Sequence, residues 1–193
     1  MMEPILRYFL GFQVAADRAG WLARRLPPTG DMFAQIQPHL HHLTLCTIAE
    51  TALPHPFLRQ RVAAALGGDL PAAATIPFGR IVARDMGVEL VTVGSVSAIR
   101  TLCESLVARL AAQGIEPLHR KPGLRPHITL GYGACVFDPV PLAWSWTPHN
   151  LVLVESHVGH RRHRVLQSWG LPPPAQGLFD FMADELPAIR RAA

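Results

Sequence analysis

The chain has 193 residues, of which 49% are hydrophobic and 17% charged. That is the make-up of a packed globular protein, long enough to bury a core without disulfide or metal staples, and it excludes a disordered chain. The net charge of +4 suits an anionic ligand, although the excess is spread along the sequence and an ordinary solvated surface accounts for it equally well. Cys46, Cys103 and Cys135 lie far apart with no C-x-x-C, which argues against a disulfide framework or a thiolate metal site. No apolar run approaches the roughly eighteen residues of a membrane span, and Glu3 and Arg7 interrupt the N-terminal apolar residues, against a signal peptide. A cytoplasmic protein with no membrane contact and no obligate protein partner is the expectation.

Ile5–Val14 reads as a strand, followed by a helix over Arg18–Leu26 with Asp17 as its cap and Pro27-Pro28 as its stop. A second strand is expected around His42–Ala49, then a short Ala-rich helix over Pro56–Leu66 closed by Gly67-Gly68. Thr75–Ala83 and Val88–Val93 flank Arg84-Asp85-Met86-Gly87, a hairpin with Gly87 in the left-handed position. Ser97–Ala112 is the longest helix, with Ile99, Leu102, Cys103, Leu106 and Leu110 on one face and Gly114 as its stop. Pro126–Tyr132 is another strand, and Asn150–Val158 with His163–Trp169 forms a closing hairpin around Gly159-His160-Arg161-Arg162. Residues 1–172 are expected to form one domain; 173–193, beyond the Pro172-Pro173-Pro174 break, are expected to form a tail with a short helix. Hairpins among the alternating strands and helices favour an α+β architecture with antiparallel sheets over a parallel doubly wound sheet.

His42-Leu43-Thr44-Leu45 in the first half is matched by His127-Ile128-Thr129-Leu130 in the second. Residues two apart on a strand share a face, about 6–7 Å apart, so each motif presents an imidazole and a hydroxyl while Leu43, Leu45, Ile128 and Leu130 pack behind. Two such strands side by side would set the histidines across a gap of one phosphate. In-line displacement at phosphorus needs a base for the nucleophile and an acid for the leaving oxygen, and imidazole serves as either near neutral pH. The threonine hydroxyls, Thr44 and Thr129, can donate to the non-bridging oxygens. A single such motif is weak, and a strand histidine satisfied in the core is the competing reading; the matched context of the pair favours chemistry.

These residues, with Arg125-Pro126 ahead of the second motif, resemble the two signatures of the 2H phosphoesterase superfamily, and in particular its bacterial 2′-5′ RNA ligase and RNA 2′,3′-cyclic phosphodiesterase branch. Arg7-Tyr8-Phe9-Leu10-Gly11-Phe12 is similar to the opening strand of that family, Val154-Glu155-Ser156 to a late strand, and Val165–Trp169 to the closing one. The resemblance implies two pseudo-symmetric lobes of antiparallel sheet with outer helices around a central groove. It implies opening of 2′,3′-cyclic phosphates to 2′-phosphates, reversible 2′-5′ ligation, and no cofactor. It implies His127 as the base, His42 as the acid on the 3′-oxygen, and Thr44 and Thr129 as phosphate ligands. A tyrosine that related chains carry after the last hairpin turn has no counterpart in Gly159–Arg164, which leaves base preference open.

Other groups have two readings each. His39-Leu40-His41-His42 invites a metal site, but a cluster at a turn is the simpler account and no metal is expected. His157, His160, His163, Arg161, Arg162 and Arg164 form a basic hairpin that would steer RNA phosphates or be a solvated turn. Lys121 and Arg125 would neutralise an incoming phosphate or lie on the surface. Phe9 and Phe12 face opposite sides of their strand, so one would reach the groove if either does. Trp144, Trp146 and Trp169 read as packing residues. The absence of a P-loop, a dinucleotide fingerprint and a G-x-S-x-G elbow disfavours nucleoside-triphosphate, nicotinamide and serine-hydrolase chemistry. The same two-histidine chemistry on a small cyclic phosphate, and a non-catalytic RNA-binding module, are the alternative functions.

Overall fold

The computed structural model describes residues 5–30, 32–118 and 124–174. Among them the chain forms, in order, β1 (Leu6–Gln13), α1 (Ala16–Ala23), β2 (Ala34–Gln35), a 3-10 turn (Pro38–Leu40), β3 (His42–Thr51), α2 (Leu58–Ala65), β4 (Ile76–Arg84), β5 (Gly87–Thr92), α3 (Ser97–Ala112), β6 (His127–Tyr132), β7 (Val140–Trp146), β8 (Asn150–His157) and β9 (Arg162–Gly170). The strands make two antiparallel sheets, one ordered β3-β1-β8-β9 and the other β2-β6-β5-β4-β7. Each sheet places a motif strand beside the strand that precedes a helix: β1-α1 leads to β3, and β5-α3 leads to β6. This is the α+β, two-lobed arrangement expected, and β3 and β6 lie against each other where the lobes meet.

One hydrophobic cluster draws on both sheets and all three helices, from Leu10, Leu43 and Leu153 to Ile81, Leu90 and Ile128, with Leu22, Val62, Leu102 and Leu106 closing over them. A second, smaller group, Phe9, Val152 and Val154, sits apart on the other face of the first sheet. The period-2 alternation of β1 and β8 makes both faces of that sheet apolar at its centre, so Phe9 turns one way and Phe12 the other. Phe12 meets Trp146 edge-on, Trp144 stacks on both Trp146 and Phe78, and Trp146 is tilted to Phe78, all as packing residues.

Several local expectations need correction. Helix α1 begins two residues before Arg18, its cap position is Ala15 without a side-chain hydrogen bond, and Asp17 instead lies in the first turn where its charge complements the helix dipole. Gly87 is not in the left-handed region. It is the first residue of β5, where a Cβ would run into the backbone oxygen of Gly131 on β6. Strand β7 has no counterpart in the sequence reading, and β2 is only two residues long. The tail helix and Lys121 lie outside the described residues.

Candidate active site

β3 carries His42 and Thr44 half-buried, alternating with buried Leu43 and Leu45, and β6 repeats the pattern with His127, Thr129, Ile128 and Leu130. The apolar pair anchors each strand in the core and turns the imidazole and hydroxyl toward the junction of the sheets. Both rings are held in the same way. His42 Nδ1 lies 2.7 Å from the Leu40 carbonyl oxygen, and His127 Nδ1 lies 2.9 Å from that of Arg125. A carbonyl can only accept, so Nδ1 is the donor in each ring and Nε2 is left for chemistry.

Around those two nitrogens the environments differ. Phe9 stacks on the His42 ring with centroids 4.7 Å apart and planes 26° apart, while His163 of β9 meets it edge-on at 4.9 Å. Burial pushes the His42 pKa down, assisted by charges on His127 and Arg7 and only partly offset by the Leu40 carbonyl. The resting ring is therefore neutral near pH 7, with an unprotonated Nε2. His127 faces a carboxylate: Glu89 Oε1 is 3.6 Å from its Nε2. Glu89 is bonded by both terminal nitrogens of Arg125 at 2.6 and 2.9 Å, with Arg84 at 3.5 Å. Burial alone would raise the Glu89 pKa. The Arg125 hydrogen bonds, the His127 charge and Arg84 outweigh it and hold the group ionised, below the usual carboxylate range.

Arg125 is thus a clasp. Its carbonyl holds one side of His127 and its guanidinium holds the carboxylate that faces the other. The sequence places Arg125 near the second motif but gives no sign of Glu89, which is brought to His127 by the pairing of β5 with β6, where it lies opposite Thr129.

The His39-Leu40-His41-His42 run is divided among three environments. His39 is exposed on the 3-10 turn, His42 is half-buried against Phe9 and His163, and His41 is fully buried with neither ring nitrogen in a well-formed hydrogen bond among the described residues. Burial pushes the His41 pKa down to about 4, with the nearby Ile36 backbone offsetting part of it and the charges of His42 and His39 adding to the fall. Among the described residues no group of three or more metal-ligating side chains converges.

The basic hairpin also splits. Arg161 and Arg162 are exposed at its tip, with Arg161 in the left-handed region at φ 50°. His163 turns inward onto Phe9 and His42. Arg164 takes the opposite face and pairs with buried Glu155 at 3.1 Å, which also accepts from Tyr8 Oη at 2.9 Å and lies 3.3 Å from His157 Nε2. That buried polar cluster, beside a cavity of about 390 Å³ lined by His55, Phe57 and Arg59, had no signal in the sequence beyond the residue types. Cys46 is a packing residue, its thiol pushed up to about 12 by burial.

No protein-family profile matches the sequence, and no curated protein does. Solved structures share its shape. Escherichia coli LigT in complex with 3′-AMP is 22% identical with a TM-score of 0.65, the match covering 88% of this chain and 99% of that one. TT0787 of Thermus thermophilus is 20% identical with a TM-score of 0.67, covering 87% and 99%. A structure described as a phosphoesterase is 22% identical with a TM-score of 0.66, covering 88% and 99%. The chain has the fold of these LigT-type phosphoesterases.

Proposed function

We propose that this chain is a metal-independent two-histidine phosphodiesterase that opens 2′,3′-cyclic phosphates on RNA or nucleotides to 2′-phosphates, with 2′-5′ ligation as the reverse direction. The observation that carries the reading is the matched pair of imidazoles, each tied at Nδ1 to the carbonyl two residues before it, on two strands that meet between the sheets. LigT, whose fold is shared, binds 3′-AMP, and a nucleotide carrying a phosphate on its ribose is close to the product of such a reaction.

In this reading neutral His42 accepts a proton from water at Nε2, and the water oxygen bonds to phosphorus. The bond from phosphorus to the 3′-oxygen breaks, and that oxygen takes a proton from Nε2 of His127. Phosphate stays on the 2′-oxygen, while the Thr44 and Thr129 hydroxyls donate to the non-bridging oxygens. This exchanges the acid and base that the family resemblance implies. The burial of His42 supports the exchange, as does the ionised Glu89 that supplies a counter-charge to a protonated His127. Arg161 and Arg162 at the hairpin tip would meet the RNA backbone, as would Lys121, which precedes the second motif in the sequence, with Arg125 acting through Glu89. Residues 1–172 would be the catalytic unit.

The test is to incubate the chelator-treated protein with 2′,3′-cyclic nucleotides and with RNA ending in a cyclic phosphate, and to separate the products. Opening of either substrate supports the reading, and the ratio of rates distinguishes RNA from a small molecule as the preferred partner. No opening of either, or activity only when a divalent metal is returned, would overturn it.

A further inference from the structure

The two-motif scheme leaves a third histidine in the groove unused. His163 lies edge-on to His42, with ring centroids 4.9 Å apart and planes at 76°. It also meets Phe9 edge-on at 5.8 Å, and Phe9 in turn stacks on His42. The three rings form a closed triangle, in which Phe9 also belongs to the small apolar group with Val152 and Val154.

A single hydrogen bond from Nδ1 to the Leu40 carbonyl leaves an imidazole free to tilt about that bond, because its terminal torsion is broad. A face packed on Phe9 and an edge packed on His163 remove that freedom and exclude water from the flanks of the ring. We propose that His163 is a positioning residue for His42, the aromatic wall that with Phe9 fixes the imidazole in one orientation and leaves Nε2 as its working atom. The assignment rests on the two-histidine reading for its catalytic consequence, while the clamp itself rests on the ring geometry.

Charge is consistent with the geometry. The groups that face His42 are His127 from β6, Arg7 from β1, His163 from β9 and the Leu40 carbonyl; those that face His163 are His42 and His39. Burial, with the charges of His42 and His39, pushes the His163 pKa down to about 4. At neutral pH His163 is therefore an uncharged ring that does not repel a protonated His42 during turnover.

The experiment compares His163→Ala and His163→Phe in the full chain, with His163→Leu in reserve should the alanine variant fail to fold. Turnover and KM are measured on a 2′,3′-cyclic nucleotide across pH, and the C2 proton of His42 is titrated by NMR without substrate. The alanine variant should lose about tenfold or more in kcat with KM nearly unchanged, as expected for a reacting group that is misplaced rather than removed. Its acid limb and the His42 midpoint should both move to higher pH as water reaches the ring. His163→Phe, which keeps the aromatic edge, should restore both.

Wild-type kcat and an unmoved His42 midpoint in the alanine or leucine variant would overturn the proposal. So would a phenylalanine variant no better than alanine, because the nitrogens of His163 would then be acting themselves. If the wild-type protein opened no cyclic phosphate, the proposed function would fall, but the His42 titration would still decide whether His163 clamps it.

Discussion

Tying Nδ1 of both motif histidines to their own backbone fixes the tautomer before any ligand arrives, so replacing either ring removes one group of the proposed acid–base pair and, at His42, the packing on Phe9 and His163. His42→Ala and His127→Ala are each expected to lower turnover by roughly 10²-fold or more. The fold should persist, since the cores of β3 and β6 are Leu43, Leu45, Ile128 and Leu130. Steady-state kinetics beside a melting curve checks both. The pH profile follows from the same residues. A base must be unprotonated to act, and burial lowers the pKa of His42, so the rising limb should fall below the ordinary 6.5 of histidine. The falling limb at higher pH marks loss of the acid's proton. A rising limb above pH 6.5 would contradict His42 as the base. The His-x-Thr pairs were legible because spacing of two on a strand is a local property. Glu89 was not, because nothing in Gly87-Val88-Glu89 reveals that β6 will lie alongside it with Thr129 opposite.

At the scale of elements, bulges decide which residues meet. Ile48 and Leu45 are skipped in the pairing of β1 with β3, and Leu166 in that of β8 with β9. Each bulge bends and twists its strand and shifts the alternation by one. Val152 and Ser156 share a face of β8 and pair with Ser168 and His163, which lie five apart on β9 and share a face only because Leu166 is extra. An unbroken strand would set them on opposite faces, whereas His163 itself turns inward by ordinary alternation, opposite Ser156 and between Arg162 and Arg164. Gly11 belongs to the same construction: a Cβ there would collide with the Leu43 carbonyl beside His42, so only glycine lets β3 approach.

The hairpin tip carries a separate prediction. Arg161 and Arg162 stand one or two residues from His163, so charge at the tip lies near the groove but outside its chemistry. An Arg161→Ala/Arg162→Ala double variant should raise KM for an RNA substrate severalfold at low salt, with the deficit shrinking as salt rises. It should leave KM for a cyclic mononucleotide near wild type. Equal effects on both substrates would place these arginines against the reacting phosphate instead.

For the whole molecule, one main core spans both sheets, and stability depends on pH through buried His41 and half-buried His163. His41 and His163 both have folded-state pKa values of about 4 against 6.5 unperturbed. Between those values the unfolded chain binds more protons than the folded one, so their contribution is intact above pH 6.5 and lost as pH falls toward 4. For fully buried His41 the full difference is on the order of 3 kcal/mol. His41→Leu, which also removes two unsatisfied nitrogens, should raise the melting temperature more at about pH 5 than at about pH 7.5; an equal gain at both would contradict a buried neutral imidazole. The α+β class was legible from hairpin signals, and the two-lobed plan from the family resemblance that the repeated motif carries. The return of β8 and β9 to the first sheet was not, because pairing between distant segments leaves no local mark. The proposed mechanism sets two imidazoles on opposite sides of one phosphorus, and phosphorus NMR of a 2′,3′-cyclic nucleotide incubated with chelator-treated protein tests that most directly. The account predicts accumulation of the 2′-phosphate with wild-type protein and accumulation slower by roughly 10²-fold or more with His42→Ala or His127→Ala. An intact cyclic phosphate, or a 3′-phosphate product, would contradict it.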